Sequence, residues 1–505
     1  MDKARTLNNL MISLSKTKIQ NLFESINSTG IRYCHWKSNI SLAESLSGQT
    51  DIDLLISRKD ARAFRSILDR LDFQPAVMTD GERFPSVEHY YGLDEESGIL
   101  VHVHAYYQVI TGESLTKNYH FPIEEMLLEN TREVETIYLP RKSAELIVFT
   151  LRMMLKHTSL VELVLLQRYW HGVKKELTWL LDSGPIQETR SLLKTWLPSI
   201  DEDLFLECIA ALEGPAPILR RIYLGHQLRK QLKFYSRHSS VHAWFSGIQK
   251  FSLTVYRRLV HSQKSMSLQN GGAIIAFVGP EATGKSTLIK EMNRWLGEHF
   301  SVQQIHVGKP MSTFVSFVPN LFLPALRSIF PSSRSTHISS QSAHGDQQPK
   351  ENSGYPLIFA IRSALLAYDR WSLLSRAYSQ ASNGTLVLCD RYPSIKSGAP
   401  DSPQLAHLSI TKDKYSLRRR CRNIETRLYR QIPPADLIIY LTAPIEVTIS
   451  RNANRDKTEP EDYVRWRHAV GSNLDFGDTP IQKINTDQPF EDSLLQIKRA
   501  IWNAL

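Results

Sequence analysis

Two short stretches hold residues whose types and spacing can do chemistry. The first, GPEATGKS over residues 279–286, fits GxxxxGK[ST]. The run AIIAFV precedes it and STLIKEMNRWL follows it, so a strand should feed the loop and a helix should leave it. In that setting successive amides curl inward and the helix N-terminus adds positive potential, which is what phosphate oxygens require. Gly284 permits close approach, Lys285 would reach the β- and γ-phosphates of a nucleotide, and the Ser286 hydroxyl would ligate magnesium. Gly279, Glu281, Ala282, Thr283 and Thr287 complete the candidate nucleotide-binding set. The second stretch, DIDLLI, carries Asp51 and Asp53 one residue apart. Alternation along a strand puts both carboxylates on one face, where they could share a divalent metal as in two-metal nucleotidyl transfer.

These side chains need elements to hold them, and 505 residues with 42% apolar and 22% charged composition suffice for two or three domains. Residues 1–138 mix α and β signals: a helix from Lys18 to Ser28, strands IRYCHW and DIDLLI, a helix from Asp60 to Leu71, and the hairpin VEHYYGLDEESGILVHVHAYY turning between Asp94 and Gly98. Residues 139–268 read as helical and basic. In residues 269–505 strands (AIIAFVG, VQQIHV, TLVLCD, ADLIIYLTA, IQKINTD) alternate with helices, the signature of a parallel sheet covered by helices on both faces. The expected fold class is therefore α/β, with an α+β domain and a helical linker domain ahead of the parallel sheet. The polar, Ser- and Gln-rich stretch 331–354 cannot contribute to a core and is expected to be disordered.

The net charge of +10 is concentrated: between Gly214 and Pro280 there is no acidic residue and there are ten Lys or Arg. Aromatics are interleaved, and the spacing of Trp244, Phe245, Ile248, Phe251, Leu253 and Val255 permits an amphipathic helix. A solvated helical face is the plainer reading of 214–268; a surface for nucleic acid or an anionic membrane is the sharper one. The four cysteines show no metal spacing, which suits a reducing compartment. The N-terminal residues lack the apolar core of a signal peptide, and no apolar run reaches the roughly 18 to 20 residues needed to span a bilayer; a cytoplasmic location is expected. Self-association into a homodimer is a further expectation.

Beyond the phosphate loop, TLVLCDRYP ends a strand in Asp390 and Arg391, ADLIIYLTAPIEVTISRNANR runs a strand into a helix carrying Arg451 and Arg455, and a last strand precedes Thr486, Asp487 and Gln488. This block resembles thymidylate kinase and its relatives among the nucleoside monophosphate kinases. The resemblance implies ATP and Mg2+, an acceptor phosphate bound by Arg391, a metal near Asp390, lid arginines at Arg451 and Arg455, and adenine packing against the loop at Thr486 and Gln488. It also implies that Glu281 faces the acceptor, and that this chain, with Ala282 where some members carry a catalytic arginine, places its arginines in the lid. The family's substrate signature after DRY is replaced by PSIKSGAPDSPQL, leaving nucleotide and sugar phosphate both open as acceptors.

The helix, the strand ending HWKSN and the DxD strand together resemble the nucleotidyltransferase superfamily over roughly the first 110 residues. Lys37 and Ser38 stand where that family has Gly-Ser, and His102 or His104 where it has a third carboxylate. The leading expectation is a kinase, an ATP-dependent phosphotransferase. Two other readings are carried with it: nucleotidyl transfer as the main chemistry, and a regulatory or binding protein that senses ATP through a degenerate kinase fold.

Overall fold

The computed structural model describes residues 16–79, 86–113, 116–156, 160–182, 184–214, 217–239, 242, 245–250, 252, 265–308, 310–311, 313, 316, 357–399, 401–406, 417–454, 458–471 and 474–505. Arg455, the stretch 331–354 and the expected helical positions Trp244, Phe251, Leu253 and Val255 lie outside the described residues. The chain forms two compact units, Met1–Lys264 and Ser265–Leu505.

In the first unit helix α1 (Lys18–Thr29) opens with a capping box in which Thr17 and Gln20 exchange hydrogen bonds, and Gly30 closes it in the left-handed region. Strands β1 (Tyr33–His35) and β2 (Ile52–Ile56) are followed by α2 (Ala61–Arg70), β3 (Gln74–Met78), β4 (Val87–Leu93) and β5 (Leu100–Tyr106). They align in the order β1-β2-β5-β4-β3. The β2/β5 pair is parallel, whereas β1/β2, β4/β5 and β3/β4 are antiparallel. Ile52, Leu54, Val101, Val103 and Ala105 turn one face of this sheet into a buried apolar core with Leu22, Phe64 and Leu68. By alternation the residues between them, including Asp53, His102 and His104, occupy the opposite face.

Five helices follow: α3 (Lys142–Lys156), α4 (Leu160–Leu181), α5 (Ile186–Trp196), α6 (Glu202–Glu213) and α7 (Ile218–Gln231). Their apolar side chains join Trp36, Leu55 and Tyr106 of the strand region in one core. Several basic residues here have partners inside the unit. Arg229 pairs with Glu113 at 2.5 Å, and the Arg221 guanidinium lies over the Trp170 ring.

The second unit contains β6 (Ile274–Val278), α8 (Lys285–Gly297), β7 (Val302–His306), α9 (Leu357–Ser382), β8 (Leu386–Asp390), α10 (Leu417–Arg430), β9 (Leu437–Thr442), α11 (Ile445–Ala453), α12 (Glu461–Gly471), β10 (Ile481–Asn485) and α13 (Phe490–Trp502). Its strands run in the order β7-β8-β6-β9-β10, and every neighbouring pair is parallel. The second strand in sequence therefore lies outermost and the third returns beside the first. That reversal opens a crevice at the carboxyl ends of β6 and β8, the place where open parallel sheets bind ligands. All five residues of β6 are buried, which explains why AIIAFV reads as a continuous apolar run without alternation. No helix among the described residues is long and apolar enough to cross a membrane.

Gly279, where β6 gives way to the loop, has φ +142°, and a Cβ there would sit 2.4 Å from the carbonyl oxygen of Leu441 on β9. Both the torsion and the neighbouring backbone demand glycine. Gly279→Ala should destabilise the chain by roughly 2–4 kcal/mol in urea unfolding. Gly30→Ala, at φ +71° with open space around it, should cost only about 1 kcal/mol. Equal losses at the two positions would mean that the Leu441 contact contributes nothing.

Candidate active site

The loop from Gly279 to Ser286 wraps over the N-terminus of α8. Ala282 and Gly284 both have positive φ, 60° and 86°, and the Thr283 hydroxyl donates to the Pro280 carbonyl at 2.9 Å. Such torsions turn consecutive amides toward one concavity. The Lys285 ammonium is buried and donates to the loop's own carbonyls, to Pro280 O at 2.6 Å and Gly279 O at 3.1 Å. Loop carbonyls thus hold the charged head of the side chain that the sequence assigns to phosphate.

Asp390 ends β8 in register with His306 of β7, and His306 Nδ1 lies 2.8 Å from Asp390 Oδ2. Arg391, in the left-handed region at φ 73°, swings its guanidinium back over the phosphate loop. One arm donates to Glu281 Oε1 at 2.9 Å and the other to Asp401 Oδ2 at 3.3 Å. A second guanidinium, Arg467 from α12, donates to the same Glu281 oxygen at 2.9 Å. Asp401 is held in turn by Arg370 at 2.7 Å. Arg370 is itself fixed by the carbonyls of Val307, Gly308 and Asp401 and by the Tyr429 hydroxyl. The result is a chain of alternating charge, Arg467, Glu281, Arg391, Asp401, Arg370, laid across the mouth of the loop.

This arrangement sets the electrostatics. Burial pushes the Lys285 ammonium down to about 8, with Glu281 opposing the shift and Arg391 and Arg467 adding to it. Burial would raise Glu281, yet Lys285, Arg391 and Arg467 together hold it at about 2. One carboxylate therefore serves three cations.

A cavity of about 500 Å³ joins these groups. Glu281, Ala282, Thr283, Gly284, Lys285, Ser286 and Thr287 form its floor, and Asp390 and Arg391 one wall. At the other end stand Arg451, Thr486 and Gln488. Arg451 donates to Thr486 Oγ1 at 3.1 Å and to Thr486 O at 2.8 Å, tying α11 to the loop after β10. Gln488 donates to Ser493 at 3.1 Å, and Phe490, 44% exposed, adds an apolar surface to the lining.

Twelve of the residues expected from sequence thus line one cavity. Gly279 shapes the loop from behind it, and Asp51 and Asp53 lie in the first unit. His306, Phe490, Ser493 and the arginine–carboxylate partners Arg467, Asp401 and Arg370 were not foreseen. Asp51 and Asp53 face the same side as expected, and each accepts from a histidine: Asp51 from His102 at 2.8 Å, Asp53 from His104 at 3.1 Å. Lys37 lies 2.9 Å from Asp53. Burial would raise Asp53, and Lys37 and His104 hold it well below the usual carboxylate range.

No family model matches the chain. It is 27% identical over 233 residues, 45% of its length and 86% of the other's, to the protein named uncharacterized ATP-binding protein YghR of Escherichia coli K12. To uncharacterized ATP-binding protein YghS of the same strain it is 25% identical over 252 residues, 48% of its length and 99% of the other's. Among solved structures it is similar to a gluconokinase from Sinorhizobium meliloti 1021, with 13% identity, 46% of this chain and 92% of that one covered, and TM-score 0.22. A thymidylate kinase from Candida albicans gives 16% identity, 46% and 90% coverage, and TM-score 0.24.

The Glu281 cluster makes a pH-dependent contribution whose sign is set. Because the folded carboxyl titrates near 2 against an ordinary 4.5, its contribution is complete above pH 4.5 and is lost as pH falls toward 2. The amount is about 3 kcal/mol. Glu281→Gln should be less stable than the parent by about that much at neutral pH, with the gap closing across that acid window in urea titrations. A gap that stays constant with pH would show that Glu281 contributes through packing alone.

Proposed function

We propose that the Ser265–Leu505 unit is a phosphotransferase that moves the γ-phosphoryl group of ATP onto a small acceptor that itself carries a phosphate, a nucleotide or a sugar phosphate. The observation that carries this reading is that Lys285, Arg391 and Arg467 all act on the carboxylate of Glu281, which lines a cavity also lined by Thr486, Gln488 and Phe490. The names of YghR and YghS, both ATP-binding proteins, agree with ATP as the donor.

The chemistry asks for position and charge. An oxygen of the acceptor phosphate, already anionic, forms the new bond to the γ-phosphorus while the bond to the β–γ bridging oxygen breaks and ADP leaves with the electron pair; no proton has to be removed from the nucleophile. Lys285 and the amides at the start of α8 would hold the donor phosphates. Arg391 and Arg467, released from Glu281 by a more strongly charged ligand, would clamp the acceptor and the transferring group. Ser286 and Asp390 line the same cavity and offer the hard oxygens that magnesium prefers, so they fit that ion. Bound there, it would neutralise charge on the donor phosphates.

A second reading, nucleotide sensing without transfer, draws on the same geometry. Glu281 already satisfies both arginines, so a unit built only to bind ATP would leave them latched.

Lys285 must be protonated to attract phosphate, and in the free protein it loses its proton near pH 8. Affinity for ATP should weaken by up to about tenfold per pH unit above pH 8. Lys285→Arg should remove that dependence, and Lys285→Ala should lower phosphoryl transfer by roughly 100-fold or more. Titrations with a fluorescent ATP analogue from pH 6 to 10 read the first effect and labelled ATP the second. Full transfer activity in Lys285→Ala would sink the kinase assignment.

Acceptor recognition is tested separately. Arg391→Lys should raise KM for a phosphorylated acceptor by roughly tenfold or more while leaving ATP affinity within about twofold, because a point charge cannot replace a two-pronged clamp. Competition between nucleoside monophosphates and sugar phosphates would check this. Unchanged acceptor use would mean the acceptor presents no phosphate to Arg391, and binding of ATP without transfer to any acceptor would favour the sensing reading.

A further inference from the structure

The register of the first unit's sheet collects histidines at one place. On β5, His102 and His104 share a face. His89 on β4 is directly opposite His104, and Tyr91 is opposite His102. On the other side Asp53 of β2 is opposite His104. Three neighbouring strands therefore present a polar grid whose reverse side is the apolar core around Val101, Val103 and Ala105.

The two carboxylates fix the tautomers of two of the imidazoles. Asp51 Oδ1 is 2.8 Å from His102 Nδ1, and Asp53 Oδ1 is 3.1 Å from His104 Nδ1. A carboxylate accepting from Nδ1–H fixes the tautomer and leaves the lone pair on Nε2. His102 Nε2 lies 3.3 Å from His89 Nδ1. One ligand nitrogen from each of His89, His102 and His104 falls within 4.8 Å of the other two. Two imidazole nitrogens bound to one ion at about 2.1 Å stand roughly 3.0–3.4 Å apart; the His89–His102 pair already has that spacing, and the His104 ring would close in from within 4.8 Å to complete the set. The rings are also oriented: Tyr91 stacks on His102 with centroids 4.1 Å apart at an interplanar angle of 8°.

We propose that His89, His102 and His104 bind one first-row divalent transition-metal ion of the zinc type, with Asp51 and Asp53 orienting two of the three imidazoles from behind. Imidazole selects zinc, cobalt or nickel over magnesium, which prefers oxygen ligands. Three protein ligands leave a coordination position open to water or a substrate oxygen, the arrangement of a catalytic rather than a structural ion. The site is independent of the phosphotransferase reading and belongs to the other unit.

The test uses the untagged full-length chain, stripped with chelator and titrated with Co2+. Visible d–d absorption should appear and saturate at one ion per chain, be displaced by one equivalent of Zn2+, and be indifferent to excess Mg2+. His89→Ala and His104→Ala should each weaken Co2+ binding by at least about 100-fold, and Asp51→Asn and Asp53→Asn by about 10- to 100-fold, with folding checked by circular dichroism. Should the histidine variants fail to fold, the parent chain still decides. One equivalent of Zn2+ should protect His89, His102 and His104 from diethyl pyrocarbonate, as read by peptide mass spectrometry. Absence of stoichiometric Co2+ binding, retention of the ion by the folded histidine variants, or protection confined to other histidines would overturn the proposal.

Discussion

Lys285, Arg391 and Arg467 share a small, largely buried space, and Glu281 is the counter-charge on which all three act. Two like charges about 4 Å apart at an effective dielectric near 20 repel by about 4 kcal/mol, so the cations could not be packed at one mouth without a central anion. Glu281 supplies it, and with it comes a constraint on ligands. Whatever enters must replace one negative charge shared by two guanidiniums with something more negative and better shaped, which favours phosphates over carboxylates or neutral sugars. Selectivity for charge is thus built into the free protein before any ligand arrives.

That carboxylate can do its work only because the backbone around it is held in unfavourable torsions. Ala282 and Arg391 both have positive φ, a strain of order 1–3 kcal/mol apiece for residues with a Cβ. At the first, the buried Thr283 hydroxyl bonds across the turn to Pro280. At the second, the amide of Arg391 donates to Phe277 O at 3.0 Å and its side chain is anchored at Glu281 and Asp401. Arg370 closes the network by binding Asp401 and three carbonyls from a position only 4% exposed. Its guanidinium never reaches the cavity, but it fixes the carboxylate that aims Arg391.

What was legible in the sequence follows from how local each signal is. The phosphate loop, the Asp390–Arg391 pair and the parallel arrangement of the last 240 or so residues were readable because strand, glycine spacing and helix start lie within a few residues of one another. Arg467 was not, because VRWRHAV contains two arginines two residues apart, which a helix puts on different faces, and only the fold decides that Arg467 reaches Glu281 while Arg465 pairs with Glu461 on the outside. Asp401 was hidden in PSIKSGAPDSPQL, which has no periodicity. Arg451 was readable as a cavity residue, yet its bond to Thr486 depends on a neighbouring strand and left no local trace. His89 is different, since the hairpin turn at Asp94 to Gly98 was recognised and counting outward from Leu93 opposite Leu100 puts His89 opposite His104. The signal lies in the pairing register rather than in any short motif.

The two units show opposite uses of the same contact between histidine and aspartate. Beside the phosphate loop, His306 approaches one oxygen of Asp390 in a cavity rich in hydroxyls and cations, so the carboxylate stays a hard donor and the histidine steadies it. In the sheet of the first unit the numbers are reversed: two carboxylates meet three histidines, each carboxylate accepts a hydrogen bond from an Nδ1–H, and the clustered ligand atoms are nitrogens. Donor chemistry follows from that ratio. Oxygen donors favour a hard ion such as magnesium, whereas neutral imidazole nitrogens favour a borderline metal such as zinc. With His102 and His104 on one strand and His89 opposite His104, the donors beside the DxD strand are nitrogens, and the ion proposed for this sheet is of the borderline rather than the hard kind.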